Sequence, residues 1–133
     1  MSYGILHLNL LRVWFDMIEC REKKEEYRKV TPYWCARLLL YKGQHKSRSW
    51  WTDYLSVLKG EYDGVTKILE DIQADNISFK RFDEIEFANG YKKDRDKFWA
   101  KHGLISIDSG KEEWGAEPLT FYFVIEIDNV WKY

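Results

Sequence analysis

Near the C-terminus Phe121, Phe123, Ile125 and Ile127 alternate with Tyr122, Val124 and Glu126, and a period of two over Thr120–Asp128 dictates an extended strand. It is the longest of the expected strands. Ile5–Asn9 is a shorter alternating run. Phe82–Ala88 sets Ile85 and Phe87 among acids and leads into the Asn89-Gly90 turn signal, and Gly103–Asp108 places Ile105 and Ile107 on one face. Glu25–Val30 fits a polar-faced strand with Glu26 and Arg28 on one side, but Glu19–Lys29 is also rich in good helix formers.

Helical spacing fills the intervals. Asn9 suits an N-cap for Leu11, Trp14, Phe15 and Ile18, with an end near Cys20. Thr31-Pro32 starts a second helix, because proline in the first turn loses no needed N–H, and Trp34, Leu38 and Tyr41 follow on one face. After a basic loop over Gly43–Ser49, Trp51, Tyr54, Leu55 and Leu58 mark a helix stopped by Gly60. Val65, Ile68, Leu69 and Ile72 mark another after Asp63-Gly64. This helical pair, residues 42–77, reads as an insertion between strands. Strands interleaved with helices predict an α+β fold whose mixed, curved sheet closes into a small barrel, since closure removes edge strands. The 133 residues show no repeat, low-complexity tract or linker and suit one domain, 1–133.

Hydrophobic residues make up 45% of the chain, enough for a core, and aromatics make up 17%, a share that can serve both packing and stacking on ligands. The charges nearly cancel at a formal −1, so any nucleic-acid contact has to come from a local patch and not from a global field. His7, Asn9, Arg12 and Asp16 interrupt the N-terminal apolar run, so no signal peptide is expected, and no stretch has the roughly 20 apolar residues that span a bilayer. Cys20 and Cys35 lack CxxC spacing, which gives neither a disulfide framework nor a zinc ribbon and points to the cytosol. His7, His45 and His102 are scattered, and no P-loop, glycine-rich dinucleotide turn or GxSxG occurs, so no metal or cofactor is expected.

Arg21-Glu22-Lys23-Lys24-Glu25-Glu26-Tyr27-Arg28 directly follows the helix bearing Trp14. This run resembles the signature of the ASCH family, relatives of the PUA domains, which reads G-x-K-x-x-E-x-R after such a helix. Lys23, Glu26 and Arg28 match it, and Arg21 stands where glycine is usual. Phe87-Ala88-Asn89-Gly90-Tyr91 and Gly110-Lys111-Glu112-Glu113-Trp114-Gly115 resemble later motifs of a bacterial and phage branch. The likeness covers both ends of the chain and skips Lys42–Ile77.

The resemblance implies a strand at Glu25–Val30 and a PUA-like barrel with a cleft in which RNA or a modified nucleotide binds. Lys23, Glu26, Tyr27, Arg28, Trp114, Asn89 and Tyr91 are the implied binding residues. Lys23 and Arg28 suit phosphate or a ligand's polar edge, Glu26 suits an exocyclic amine, and Tyr27 and Trp114 suit the walls, with Trp14 and Trp34 as further stacking faces. The competing reading is a solvated set of ion pairs, with Trp14 in the core. Lys92, Lys93, Arg95, Lys97 and Lys101 form a second basic run that either grips a phosphate backbone or is a solvated loop; Lys42, His45, Lys46 and Arg48 pose the same choice.

One ASCH branch resembles amidohydrolases of N4-acylated cytidine that use a signature Lys with a Thr and a Glu. Lys23 and Glu26 are the corresponding catalytic candidates, although Glu26 replaces the Thr, and Glu84 or Glu86 is the candidate distal acid. A Lys base needs its pKa lowered by burial or a neighbouring cation. A third reading is a protein-interaction module, if Trp50, Tyr54 and Tyr62 form an exposed apolar patch.

Overall fold

The computed structural model describes residues 2–56, 64–91 and 93–133. In chain order the elements are β1 (Ile5–Leu10), α1 (Arg12–Glu19), β2 (Glu25–Lys29), α2 (Pro32–Leu38), β3 (Leu39–Tyr41), β4 (Gln44–His45), α3 (Arg48–Ser56), α4 (Gly64–Gln73), β5 (Ile77–Phe79), β6 (Glu84–Asn89), β7 (Lys97–Ser109) and β8 (Phe121–Trp131). A short 3-10 helix, Glu112–Trp114, lies between β7 and β8. The expected helix end at Leu58–Gly60, Tyr62, Asp63 and Lys92 lie outside the described residues.

The α+β class holds, in two sheets. The larger has the order β1-β6-β7-β8-β2, with β1 parallel to β6 and the other pairs antiparallel; the smaller is β4-β3-β5. One face of the larger sheet carries Leu6, Leu8, Phe87, Phe98, Phe123 and Ile125, which pack with Phe15 and Ile18 of α1 and Leu38 of α2 into the main core. Tyr122 and Val124 of β8 are buried on the opposite face with Ala116, and Tyr27 packs against them. The strand that announces itself by alternation is therefore covered on both sides along its middle.

Closure into a barrel is not made by strand pairing among the described residues, and β1 and β2 remain as the two edges. The sheet nevertheless curls far enough for the Arg28 side chain of β2 to donate to the Asn9 carbonyl of β1 at 2.9 Å. Four local expectations change. Tyr41, expected on the face of the helix that Thr31-Pro32 starts, lies in β3, because α2 ends at Leu38. Asn9 is a strand residue, because the ladder to β6 continues through Leu10↔Asn89, and the residue capping α1 is Leu11, with no side-chain cap. β7 begins at Lys97 and not at Gly103; register shifts on either side of His102 break its alternation. The expected insertion contains α3 and α4 as foreseen, and also the β4 strand of a hairpin, while β3 and β5 pair across it. Trp51 and Tyr54 of α3 and Ile68 of α4 join the main core. No helix among the described residues is long and apolar enough to cross a membrane.

Candidate functional site

Where α1 ends, Arg21 adopts φ 69°, the left-handed conformation that favours glycine, and its side chain donates to the Ile127 carbonyl at 3.1 Å. This turn aims Lys23 inward. Its side chain is only 1% exposed, and its Nζ donates to the Glu25 carbonyl and, at 3.1 Å, to Glu26 Oε1. The Tyr27 ring centre lies 4.6 Å from the same Nζ. Burial pushes the Lys23 pKa below its ordinary 10.5, with the Glu26 carboxylate pulling it back up.

Glu26 is 6% exposed and shares its second oxygen with Arg28 at 2.8 Å, so one buried carboxylate is held between two cations. The expected same-face placement of Glu26 and Arg28 is correct; the solvated alternative is not, because these charges are enclosed. Arg28 Nη2 bonds both Glu26 and the Asn9 carbonyl, and its guanidinium lies 4.9 Å from the centre of Trp34. That contact needs α2 at a fixed angle, which the Thr31 hydroxyl sets by accepting the Trp34 N–H at 3.3 Å.

Beside this trio is a cleft of about 520 Å³, a size suited to a small ligand. Its aromatic lining is Trp14, Tyr27, Tyr33, Trp34 and Trp114, and its polar lining includes Asn9, Glu26, Arg28, Lys29 and Glu117. The third wall is the β7–β8 connection. Its Lys111 N–H donates to the Tyr27 hydroxyl at 3.0 Å, and the Glu117 N–H to the Tyr122 hydroxyl at 2.9 Å. The Tyr27 hydroxyl donates in turn to Glu25 at 2.7 Å, and burial raises its pKa.

The open edge of β2 supplies backbone groups to the same space. Ile127 N–H donates to the Lys24 carbonyl, and the register pairs Glu26 with Ile125, so Lys24, Glu26 and Arg28 turn their backbone toward β8. Glu25, Tyr27 and Lys29 turn theirs outward. Lys23 takes the Glu25 carbonyl and the Thr31 N–H takes that of Lys29, which leaves the Tyr27 N–H and C=O on the open edge of β2, in a residue that lines the cleft.

No family model, curated protein or solved structure matches the chain.

Of the expected binding residues, Glu26, Tyr27, Arg28 and Trp114 meet in the cleft, and Lys23 lies against Glu26 and Tyr27 without being among its lining. Asn89 and Tyr91 do not join them. Asn89 ends β6 opposite Leu10, with its N–H on the Asp96 carbonyl, and Tyr91 is 83% exposed in the following turn. Trp14, expected in the core, is half-buried and lines the cleft, with its ring 2.9 Å from where a Cβ on Gly115 would sit. Tyr33 and Glu117 were not foreseen as cleft residues; the Tyr33-Trp34 pair after the Thr-Pro cap was the signal available for the former.

The distal acid candidates point away. Glu86 pairs with His7 at 3.1 Å and Lys97 at 3.4 Å, and Glu84 accepts from the Tyr133 hydroxyl at 3.0 Å. Lys101 donates to the Asp83 carbonyl, so both Lys97 and Lys101 of the second basic run are engaged. Tyr54 is buried and Trp50 stacks on it with ring centres 5.5 Å apart, so these two do not form the exposed patch that an interaction module requires. No group of metal-ligating side chains occurs among the described residues.

Proposed function

We propose that the cleft beside Lys23–Arg28 binds RNA or a modified nucleotide by taking one unpaired base between its aromatic walls. The observation that carries this reading is the convergence of Trp14, Tyr27, Tyr33, Trp34 and Trp114 on a single space whose polar lining includes Arg28 beside Asn9, Glu26, Lys29 and Glu117, with the Tyr27 N–H and C=O at the strand edge. Flat rings hold a base of any kind by its face, whereas a donor and an acceptor on one residue can meet the hydrogen-bonding edge. Arg28 is held by Glu26 and Asn9 before any ligand arrives, so little of its freedom is lost on binding.

Two features support a PUA-like, ASCH-type ancestry for this site. Arg21, at the position where the resembled signature has glycine, adopts a left-handed backbone conformation that glycine takes most readily, and the sheet curls until Arg28 spans its two edges. On this reading the fold is an opened version of a PUA-like barrel, with the ligand at the opening.

The test is calorimetric titration with the four nucleoside 5′-monophosphates and with oligouridylate, for the wild type and Trp114→Ala. Stacking on an aromatic ring contributes about 1–3 kcal/mol per base, so the variant is expected to bind at least fivefold more weakly. A wild type that binds none of these compounds would sink the reading.

Hydrolysis of an N4-acylated cytidine is the second reading, favoured by the lowered pKa of Lys23. Against it, the Lys23 amine is enclosed by Glu25, Glu26 and the Tyr27 ring. Incubation with N4-acetylcytidine followed by chromatography decides it: deacylation that disappears in Lys23→Ala would make the protein a hydrolase.

A further inference from the structure

Between Glu26 and Asp53 the chain carries Arg28, Lys29, Arg37, Lys42, Lys46 and Arg48 and not one carboxylate. With a formal net charge of −1 overall, those six cations leave seven net negative charges for the remainder. The fold keeps this run together and starts it at the cleft. Trp34, in the cleft wall, has the Arg28 guanidinium 4.9 Å and the Arg37 guanidinium 5.5 Å from its ring centre. Lys80 adds a charge from outside the run: its Nζ donates to the Ala36 carbonyl of α2 at 2.7 Å and lies 2.8 Å from His45 Nδ1 on the β3–β4 hairpin. Beyond His45, Lys46 sits 5.3 Å from the Trp50 ring centre, and in the turn of the hairpin Lys42 sits 5.7 Å from that of Tyr41.

Apart from Arg28, which pairs with Glu26, the cations of this run are not used in ion pairs. Among the described residues Lys29, Arg37, Lys42, Lys46 and Arg48 have no carboxylate partner; elsewhere Arg12, Lys97 and Lys132 each have one, while Lys24, Lys101 and Lys111 have none. Arg37, Lys42 and Lys46 lie against aromatic rings instead. A tract of unpaired cations interleaved with flat rings offers what a flexible polynucleotide presents, namely phosphates along its backbone and unstacked bases beside them. An acidic protein surface would meet the charges but leave the rings unused.

We propose that a single-stranded polynucleotide runs from the cleft along α2 to the β3–β4 hairpin, its phosphodiesters on Arg37, Lys42, Lys46 and Arg48 and one of its bases in the cleft. This rests on the cleft reading above and specifies its ligand as a strand, not a free nucleotide.

The experiment measures binding of a fluorescent oligouridylate of about twelve residues, within the span that such surfaces cover, over a series of salt concentrations. Uridine 5′-monophosphate is titrated in parallel by calorimetry, and the wild type is compared with the triple variant Lys42→Ala, Lys46→Ala, Arg48→Ala. Each lost phosphate contact on a single strand lowers the slope of log K against log salt by about 0.7, so the triple variant is expected to lose about 2 from its slope. Its affinity for the monophosphate is expected to stay at the wild-type value, which also reports that the variant is folded. An oligomer bound no more tightly than the monophosphate, or an unchanged slope in the triple variant, would overturn the proposal while leaving the cleft reading in place. Absence of binding to both compounds by the wild type would remove the cleft reading and this one with it. Tighter binding to vesicles containing phosphatidylserine than to the oligomer would reassign the tract to a membrane surface and overturn the proposal.

Discussion

Glu26 accepts from Lys23 and Arg28 in a space with little access to water, and that arrangement makes the three residues one energetic unit. Removing one partner of a buried pair costs about 3–5 kcal/mol, because the remaining charge loses its compensation. Glu26→Ala leaves two enclosed cations and is expected to lose stability in that range by urea denaturation. The double variant Lys23→Met, Glu26→Gln is expected to recover part of the loss; equal loss in both would show that the pairs are not coupled. Lys23 also gives stability a pH dependence. Its folded pKa lies below the 10.5 of an ordinary lysine, so between those values the unfolded chain binds more protons and stability rises with pH. Below the folded value Lys23 is charged in both states and the full burial penalty applies. The unfolding free energy of wild type relative to Lys23→Met should therefore shift in favour of wild type as pH climbs towards 10.5, in urea melts at a series of pH values. A constant difference would mean that Lys23 titrates normally. At this scale the sequence shows which residue types sit where, and it places Glu26 and Arg28 on one face once the resemblance chooses a strand over the helix that the same residues allow. It does not show their burial, because a charged octamer reads the same whether it faces water or lies beneath an aromatic ring.

Among the elements, those with many repeats of their period were the legible ones. Thr31-Pro32 announced α2, and the alternation of Phe121–Ile127 announced β8. β3, β4 and β5 have two or three residues each, too few for a period, and they owe their existence to pairing with one another. β7 was read short because its register shifts around His102 move later apolar residues out of phase with Phe98 and Ala100. The β7–β8 connection was legible through the motif Gly110–Gly115, which offered Trp114 as a wall of the site, and Trp114 and Gly115 do line the cleft. Gly115 has φ 99° there, and an added Cβ would come within 2.9 Å of the Trp14 ring. Gly115→Ala is expected to cost about 1–3 kcal/mol from the backbone alone, and further through displacement of Trp14. A melting temperature equal to wild type, with unchanged tryptophan emission, would contradict the role given to this strap.

For the whole molecule, the sheet order β1-β6-β7-β8-β2 places β1 and β2 at opposite edges, and its curl brings them back to within reach of one side chain. Alternation gives the strands but not their neighbours, so the opening between β1 and β2 was not legible, and a cleft beside the signature was expected only from the resemblance. The charge separation was written in the sequence as the carboxylate-free interval between Glu26 and Asp53, although a nearly neutral total conceals it. What the fold adds is continuity, since it joins that interval to the aromatic cleft through Trp34 and Arg37. The central claim is that a base sits in this cleft. Its most direct test is photocrosslinking of an oligonucleotide containing 4-thiouridine, with the adducts mapped by mass spectrometry. The account predicts adducts on the peptides that carry Tyr27, Tyr33-Trp34 and Trp114; adducts confined to other peptides, or crosslinking unaffected by Trp114→Ala and Arg28→Ala, would contradict it.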